Sequence, residues 1–344
     1  MKKERWGFRS RRASQGMPAG KTAQAFAPHL LLRNPHAMTL FPRFWPRRRL
    51  LAGIPIEARL FAVAPASRIL GYCHWQPDPK RHPALLLVHG LEGCSESHYM
   101  LGIASKAWRA GFNVVRLNQR NCGGTEHLTA RLYHNGLSGD VRAVIRELAA
   151  SDGLSDVWLG GYSMGGNLVL KAAGELAASH EALKGVVAVC PNIDPAACTD
   201  ALLQPRNWIY NRHFVDSLKA RLRRKAVLFP GKFDLSRLAT IRTLREFDEA
   251  YTAPDGGYRN ADDYYEQAGA RHVLGALAVP TLIIIAQDDP FIPSWIFQTP
   301  AIQANPWIWL VAPTHGGHCG FIQRPCPYED RYWAENRLLD FITA

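Results

Sequence analysis

Short apolar runs alternate with longer helical stretches along most of this chain. The runs are Ala84–Val88, Asn113–Leu117, Val157–Gly160, Gly185–Cys190, Thr281–Ala286 and Trp307–Val311. The helical stretches are His98–Ala110, Ser138–Ala150, Gly165–Ala178 and Ser294–Ala304. Strands that are apolar at every position are buried on both faces, so the pattern predicts a parallel sheet covered by helices on both sides. Ile56–Val63 and Arg68–Trp75 have no helix between them and predict an antiparallel start to that sheet, making about eight strands. About 90 residues separate Pro191 from Thr281, far more than one crossover needs, so a helical cap is expected to be inserted at about 192–275.

Composition agrees with a folded enzyme-sized body. Apolar residues make up 47% and charged residues 20% of 344, which excludes a disordered chain, a collagen or a coiled coil. The longest apolar run, Ala276–Ala286, is interrupted by Pro280 and is too short to span a bilayer. The first 25 residues lack the apolar core of a secretory signal, so a cytoplasmic protein is expected. The seven cysteines are scattered and contain no C-x-x-C, which fits a reducing compartment better than a disulfide framework or a zinc site.

Charge divides the chain. The net charge is +12, of which residues 1–50 carry +11. We read 1–27 as a flexible basic tail and 28–344 as one domain. A basic arm on a neutral body suggests peripheral contact with an anionic membrane through residues 1–50, or simply a solvated tail; nucleic acid is not the expected partner. Pro28–Leu51 interleaves aromatic rings with arginines. Such a segment can lie on a membrane interface, but the expectation is that the rings pack on the domain and leave the arginine heads in water.

The chemistry centres on Gly161-Tyr162-Ser163-Met164-Gly165, a G-x-S-x-G pattern between a strand and a helix start. Glycines let strand and helix approach closely around a serine held in a strained turn. A serine hydroxyl needs a base to become a nucleophile. Behind a strand–turn–helix nucleophile, the acid and the histidine follow in that order on loops after later strands. The loop after Thr281–Ala286 reads Gln287-Asp288-Asp289-Pro290, and the loop after Trp307–Val311 reads Thr314-His315-Gly316-Gly317-His318. Asp289 fits the loop length better than Asp288, which reads as a turn residue binding backbone N–H groups. His318 lies past two glycines that let its ring reach Ser163, whereas His315 reads as a hydrogen-bonding loop residue. The backbone N–H groups of Met164 and Leu91 are the candidate oxyanion donors. Leu91 lies in His89-Gly90-Leu91-Glu92-Gly93, where the glycines permit a tight turn and His89 orients the loop. This chemistry needs no metal or cofactor.

Weaker expectations complete the reading. The loop Asn118–Thr125 lines the pocket, and Ser138 caps its helix. Arg221, Arg223, Arg224 and Lys225 form a solvated face. Trp208, Tyr210, Phe214, Phe229, Phe233 and Phe247 line an acyl pocket or fill the cap core.

Residues 29–342 resemble the YheT-like branch of the α/β-hydrolases, the AB hydrolase 4 family. The motifs that carry the resemblance are Arg33-Asn-Pro-His36, His89-Gly-Leu-Glu-Gly93, Leu132-Tyr-His-Asn-Gly136, Gly161-Tyr-Ser-Met-Gly-Gly-Asn167, Leu244-Arg-Glu-Phe-Asp248, Asp288-Asp-Pro-Phe291 and His315-Gly-Gly-His-Cys-Gly-Phe321. The resemblance implies an α/β-hydrolase fold, with a mostly parallel eight-stranded sheet, flanking helices and an inserted helical cap. It places the family's triad on Ser163, Asp289 and His318, the set reached above from chain order. It implies hydrolysis of carboxylic esters, short- to medium-chain or lipid-like, through an acyl-enzyme. The alternatives are acyl transfer to an alcohol on the same triad, a cofactor-free haloperoxidase, or a catalytically silent fold that binds lipid or nucleic acid through its basic arm.

Overall fold

Five consecutive apolar residues, Ala84 to Val88, are all essentially solvent-free, and the strand they form lies in the middle of the sheet. The computed structural model describes residues 25–177 and 182–344; most of the expected basic tail therefore lies outside the described residues. The first half comprises α1 (Pro35–Phe44), β1 (Glu57–Ala64), β2 (Ser67–His74), β3 (Ala84–Val88), α2 (His98–Arg109), β4 (Asn113–Leu117), α3 (Ser138–Asp152), β5 (Val157–Tyr162) and α4 (Met164–Leu176). After β6 (Leu183–Val189) come α5 (Pro195–Leu202) and α6 (Trp208–Leu228). Short turns α7 (Leu244–Phe247), α8 (Ala253–Gly256) and α9 (Ala261–Ala268) lead to β7 (Thr281–Ile284). The chain closes with α10 (Pro300–Ala304), β8 (Ile308–Val311) and α11 (Trp333–Ile342).

The eight strands run in the order β1-β2-β4-β3-β5-β6-β7-β8. β1 pairs antiparallel with β2 and β2 antiparallel with β4; every later pair is parallel. The antiparallel start and the parallel body are thus as the pattern predicted. The parallel strands need crossovers, and α2, α3 and α4 supply them. α4 is apolar nearly all round because it is wedged against β5, β6 and α3; eleven of its thirteen residues are buried.

Several expectations fail for identifiable reasons. Ser294–Ala304 is two pieces, a 3-10 turn Ser294–Phe297 and α10, because Pro300 forces Thr299 into an extended conformation. Ser138 is not an N-cap; Leu137 holds that position, and the Ser138 hydroxyl donates to Glu175 at 2.8 Å. The basic run on α6 is not uniformly solvated. Arg223 and Arg224 are exposed, but Arg221 and Lys225 are buried. Lys225 Nζ donates to Asn121 Oδ1 at 2.6 Å and Thr129 O at 2.5 Å.

The aromatic-and-arginine segment departs from expectation at its rings and at one arginine; Arg43, Arg48 and Arg49 keep their heads in water as expected. The rings of Phe44 and Trp45 are 82% and 54% exposed, while Arg47 is buried. Its guanidinium makes a bidentate pair with Glu335 of α11 and covers the Tyr332 ring at 3.6 Å. α2 makes room for it with Gly102, where a Cβ would lie 2.2 Å from that guanidinium.

Candidate active site

β5 ends at Tyr162 and α4 begins at Met164, so Ser163 alone makes the turn, at φ 55° and ψ −119°. A non-glycine residue held there is strained, and the surroundings over-determine it. Ser163 N donates to Val189 O at 2.9 Å, and Asn167 N donates to Ser163 O at 3.1 Å. A Cβ at Gly161 would sit 2.3 Å from Gly165 O, and one at Gly165 would sit 2.2 Å from Val88 O. Strand and helix therefore pack at a distance that only glycine permits at these two positions.

Asp289 and His318 meet across 2.8 Å, Oδ2 to Nδ1. The Asp289 side chain is 1% exposed, and its other oxygen accepts from the N–H groups of Phe291 and Ile292 at 3.1 and 3.0 Å. Asp288 does a different job: it accepts from Gly317 N at 2.9 Å and faces His315 Nδ1 at 3.1 Å, bracing the loop that carries His318. The Phe291 ring lies against the imidazole of His318, centroids 4.1 Å apart. Burial opposes a charge on His318, but the facing Asp289 carboxylate outweighs it and raises the imidazole above its usual pKa.

α1 also braces this loop, a role that nothing in its sequence announced. His318 N donates to Thr39 Oγ1 at 2.9 Å. Gly317, at φ 55°, passes so close to α1 that a Cβ would lie 2.6 Å from Pro35 O.

The loop after β3 brings Leu91 toward Ser163. Among the described residues, neither Leu91 N–H nor Met164 N–H has a hydrogen-bond acceptor. The tight turn is made differently from expectation: its left-handed residue is Glu92, at φ 55°, not a glycine. Tyr133 holds it there, its hydroxyl accepting from Glu92 N at 3.1 Å and donating to Glu92 Oε1. Arg221 Nη2 closes the clamp on Glu92 Oε2 at 3.0 Å. His89 is a structural residue. Burial pulls its pKa down to about 4, and Nε2 accepts from Gln119 N at 3.1 Å, so Nδ1 carries the proton given to Gly90 O at 2.7 Å.

The loop Asn118–Thr125, expected to line the pocket, contributes no residue to either space beside Ser163 and acts as support. Arg120 makes a buried bidentate pair with Asp140, and Asn118 Oδ1 accepts from Ser95 N at 2.8 Å. Asn167 ties three segments together through Asn135 O, Ala268 O and Ala270 N, at 3.0, 3.0 and 2.7 Å. A buried amide with every group satisfied fixes their relative positions.

Ser163 stands between two spaces. The inner pocket is lined by apolar Leu202, Phe214, Leu218 and Phe291 and by polar groups that include Asp248 and Tyr265. Burial raises the Asp248 carboxyl to about 6, and Tyr265 donates to it at 2.8 Å. The outer groove, about 2150 Å³ and open to solvent, is shared by Ser163, His318, Gly90 and the segment from Leu40 to Arg49. Of the aromatic residues named from sequence, Phe214 lines both spaces and Tyr210 the groove; Trp208 points to solvent, and Phe247 packs in the core.

Cys190, His318 and Cys319 bring two sulfurs and an imidazole nitrogen within 4.8 Å of one another. Burial pushes the Cys190 thiol well up, and its sulfur points at Gly317 O at 3.9 Å, while Cys319 Sγ points at Val189 O at 3.7 Å. Burial holds the Cys190 thiol neutral, and both sulfurs are engaged with backbone carbonyls.

The geometry agrees with the company the chain keeps. Residues 83–325 match the α/β-hydrolase fold family. The chain is 32% identical over 328 residues to YheT of Escherichia coli (strain K12), a candidate esterase, covering 93% of each. The chain belongs to the α/β-hydrolases, in their YheT-like branch. It is also 30% identical to the mouse phospholipase ABHD3 over 75% of its own length and 64% of that protein. Among solved structures, an esterase of Pyrococcus furiosus, Pf2001, shares the fold with a TM-score of 0.57 at 14% identity, over 93% of this chain and 97% of that one. No helix among the described residues of this α/β-hydrolase is long and apolar enough to cross a membrane.

Proposed function

We propose that this protein is a serine hydrolase that cleaves carboxylic esters through an acyl-enzyme, with Ser163 as nucleophile, His318 as base and Asp289 as the acid. The observation that carries the reading is the Asp289–His318 pair at 2.8 Å, facing the same groove as a serine held on a strained elbow. His318 takes the Ser163 proton through Nε2 as Oγ attacks the ester carbonyl. Asp289 keeps the Nδ1–H tautomer and stabilises the imidazolium. The unpaired N–H groups of Leu91 and Met164 receive the oxyanion, in a site where removing one such donor typically costs about 10²–10³ in rate. His318 then protonates the leaving alcohol, and water admitted from the groove deacylates Ser163. Names among the relatives, an esterase and a phospholipase, support an ester substrate.

The helical segment between β6 and β7 serves as the cap, since Leu202, Phe214 and Leu218 close the inner pocket from that side. The acyl group occupies this pocket.

Intact mass after treatment with a fluorophosphonate tests the reading. One adduct on the parent and none on Ser163→Ala supports it; a folded parent that stays unmodified overturns it. An ester panel graded by acyl length then tests the pocket assignment, with a maximum expected at short to medium chains.

A further inference from the structure

We propose that α1 and the mouth of the outer groove dock on an anionic phospholipid bilayer, so that the groove opens toward the membrane. α1 buries only Met38 and Pro42, one turn apart. Its other side presents Leu40, Phe41 and Phe44, with Trp45 just beyond, from 37% to 82% exposed. Apolar rings of this size are ordinarily buried, and a contiguous exposed group marks an interaction surface. Trp208 and Ile209, more than half exposed, stand at the start of α6 beside Tyr210. His36 Nδ1 lies 3.1 Å from Tyr210 Oη and holds the two helix starts together.

Charge selects the partner. Arg43, Arg48 and Arg49 are exposed among these rings, and the sequence contains no Asp or Glu between Glu4 and Glu57. Aromatic side chains set among arginines suit the headgroup region of a bilayer, where rings enter the acyl boundary and guanidinium heads stay with phosphates. A nucleic acid duplex offers phosphates but no apolar layer for Leu40, Phe41 and Phe44.

Position links the surface to the site. Leu40, Arg43, Phe44, Trp45, Arg48 and Arg49 line the groove that reaches Ser163. On its inner side, α1 holds the His318 loop through Thr39. Arg47 anchors the segment to Glu335, so the exposed rings stand on a fixed base.

Binding is measured on full-length Ser163→Ala, so the result is independent of the hydrolase reading. Co-sedimentation with vesicles of phosphatidylcholine plus one quarter phosphatidylglycerol is compared with phosphatidylcholine alone. Preference for the anionic vesicles of about tenfold or more, weakening with added salt, is expected. Phe44→Ser with Trp45→Ser is expected to cut binding about tenfold or more while circular dichroism stays unchanged. Quenching of tryptophan fluorescence by brominated phosphatidylglycerol should fall in Trp45→Phe, a change too mild to unfold the chain. Absence of binding to anionic vesicles overturns the proposal. So does binding that the two ring variants leave unchanged, or binding to a DNA duplex without binding to vesicles.

Discussion

Arg221 of α6 and Glu92 of the loop after β3, 129 residues apart in sequence, form an ion pair at 3.0 Å with side chains less than a tenth exposed. Glu92 follows Leu91, which lines the same two spaces as Ser163. The same guanidinium donates to Asn121 O at 2.6 Å and lies 4.8 Å from the Tyr133 ring centroid. A helix that walls the inner pocket thus holds the backbone of a candidate oxyanion donor. Arg221→Ala is expected to lower kcat about tenfold to a hundredfold, less than outright loss of an oxyanion donor, with a smaller effect on KM. Arg221→Lys should restore part of kcat, since an ammonium reaches Glu92 but not both partners. Steady-state kinetics on a nitrophenyl ester decides it; a fall in KM-dependent binding with kcat intact points to a merely structural role.

The two neighbouring aspartates should separate by function. Asp289→Asn removes the carboxylate that orients His318 and is expected to cost about 10⁴ in kcat, the scale seen when a triad acid is replaced. Asp288→Asn weakens the brace on Gly317 and His315 and is expected to cost about tenfold or less. Equal losses at the two positions would contradict the assignment of roles.

The pH profile follows from His318. The Asp289 carboxylate raises the imidazole above its usual value despite burial. Catalysis needs the neutral form, so raising its pKa moves the rise of activity to higher pH. The expected kcat/KM profile therefore climbs through neutrality toward an alkaline plateau. In Asp289→Asn the carboxylate is gone while burial remains, and the limb of the residual activity should shift to lower pH. A rise centred at or below the ordinary histidine value in the parent would refute the argument.

Arg47 tests the stability side. Its pair with Glu335 has both side chains 4% exposed. Arg47→Ala leaves Glu335 with Lys106 Nζ at 3.2 Å as its remaining cation and is expected to destabilise the fold by about 3 kcal/mol, the low end for breaking a buried pair. Gly102→Ala should act in the same direction by displacing the guanidinium. Urea unfolding curves measure both, and a loss under about 0.5 kcal/mol, the range of an ordinary surface substitution, would show that the pair is not structural.

Elements built from local pattern were legible in the chain. The six parallel strands read directly as apolar runs, the antiparallel pair as runs without a helix between them, and the elbow as glycines around Ser163. Asp289 and His318 were legible because chain order and loop position are one-dimensional facts. α11 carried a readable signal, Ala334, Leu338, Phe341 and Ile342 at helical spacing, whereas Pro42 concealed α1.

By itself, then, the sequence determined the sheet, the order of the site loops and the residue types they deliver, because hydrophobic period and glycine placement act over a few neighbouring residues. Tertiary structure alone decided which charges are buried and which rings are not. Arg47 finds Glu335 288 residues away, Arg221 finds Glu92, and Lys225 finds Asn121. A basic side chain looks the same in sequence whether it ends in water or in a pair. Desolvation makes the difference, since a guanidinium or ammonium enters the interior only where a distant fold neighbour supplies its acceptors. Phe44 and Trp45 show the converse: their rings stand at the surface beside the groove that leads to Ser163, and nothing in the local sequence distinguishes them from rings that pack.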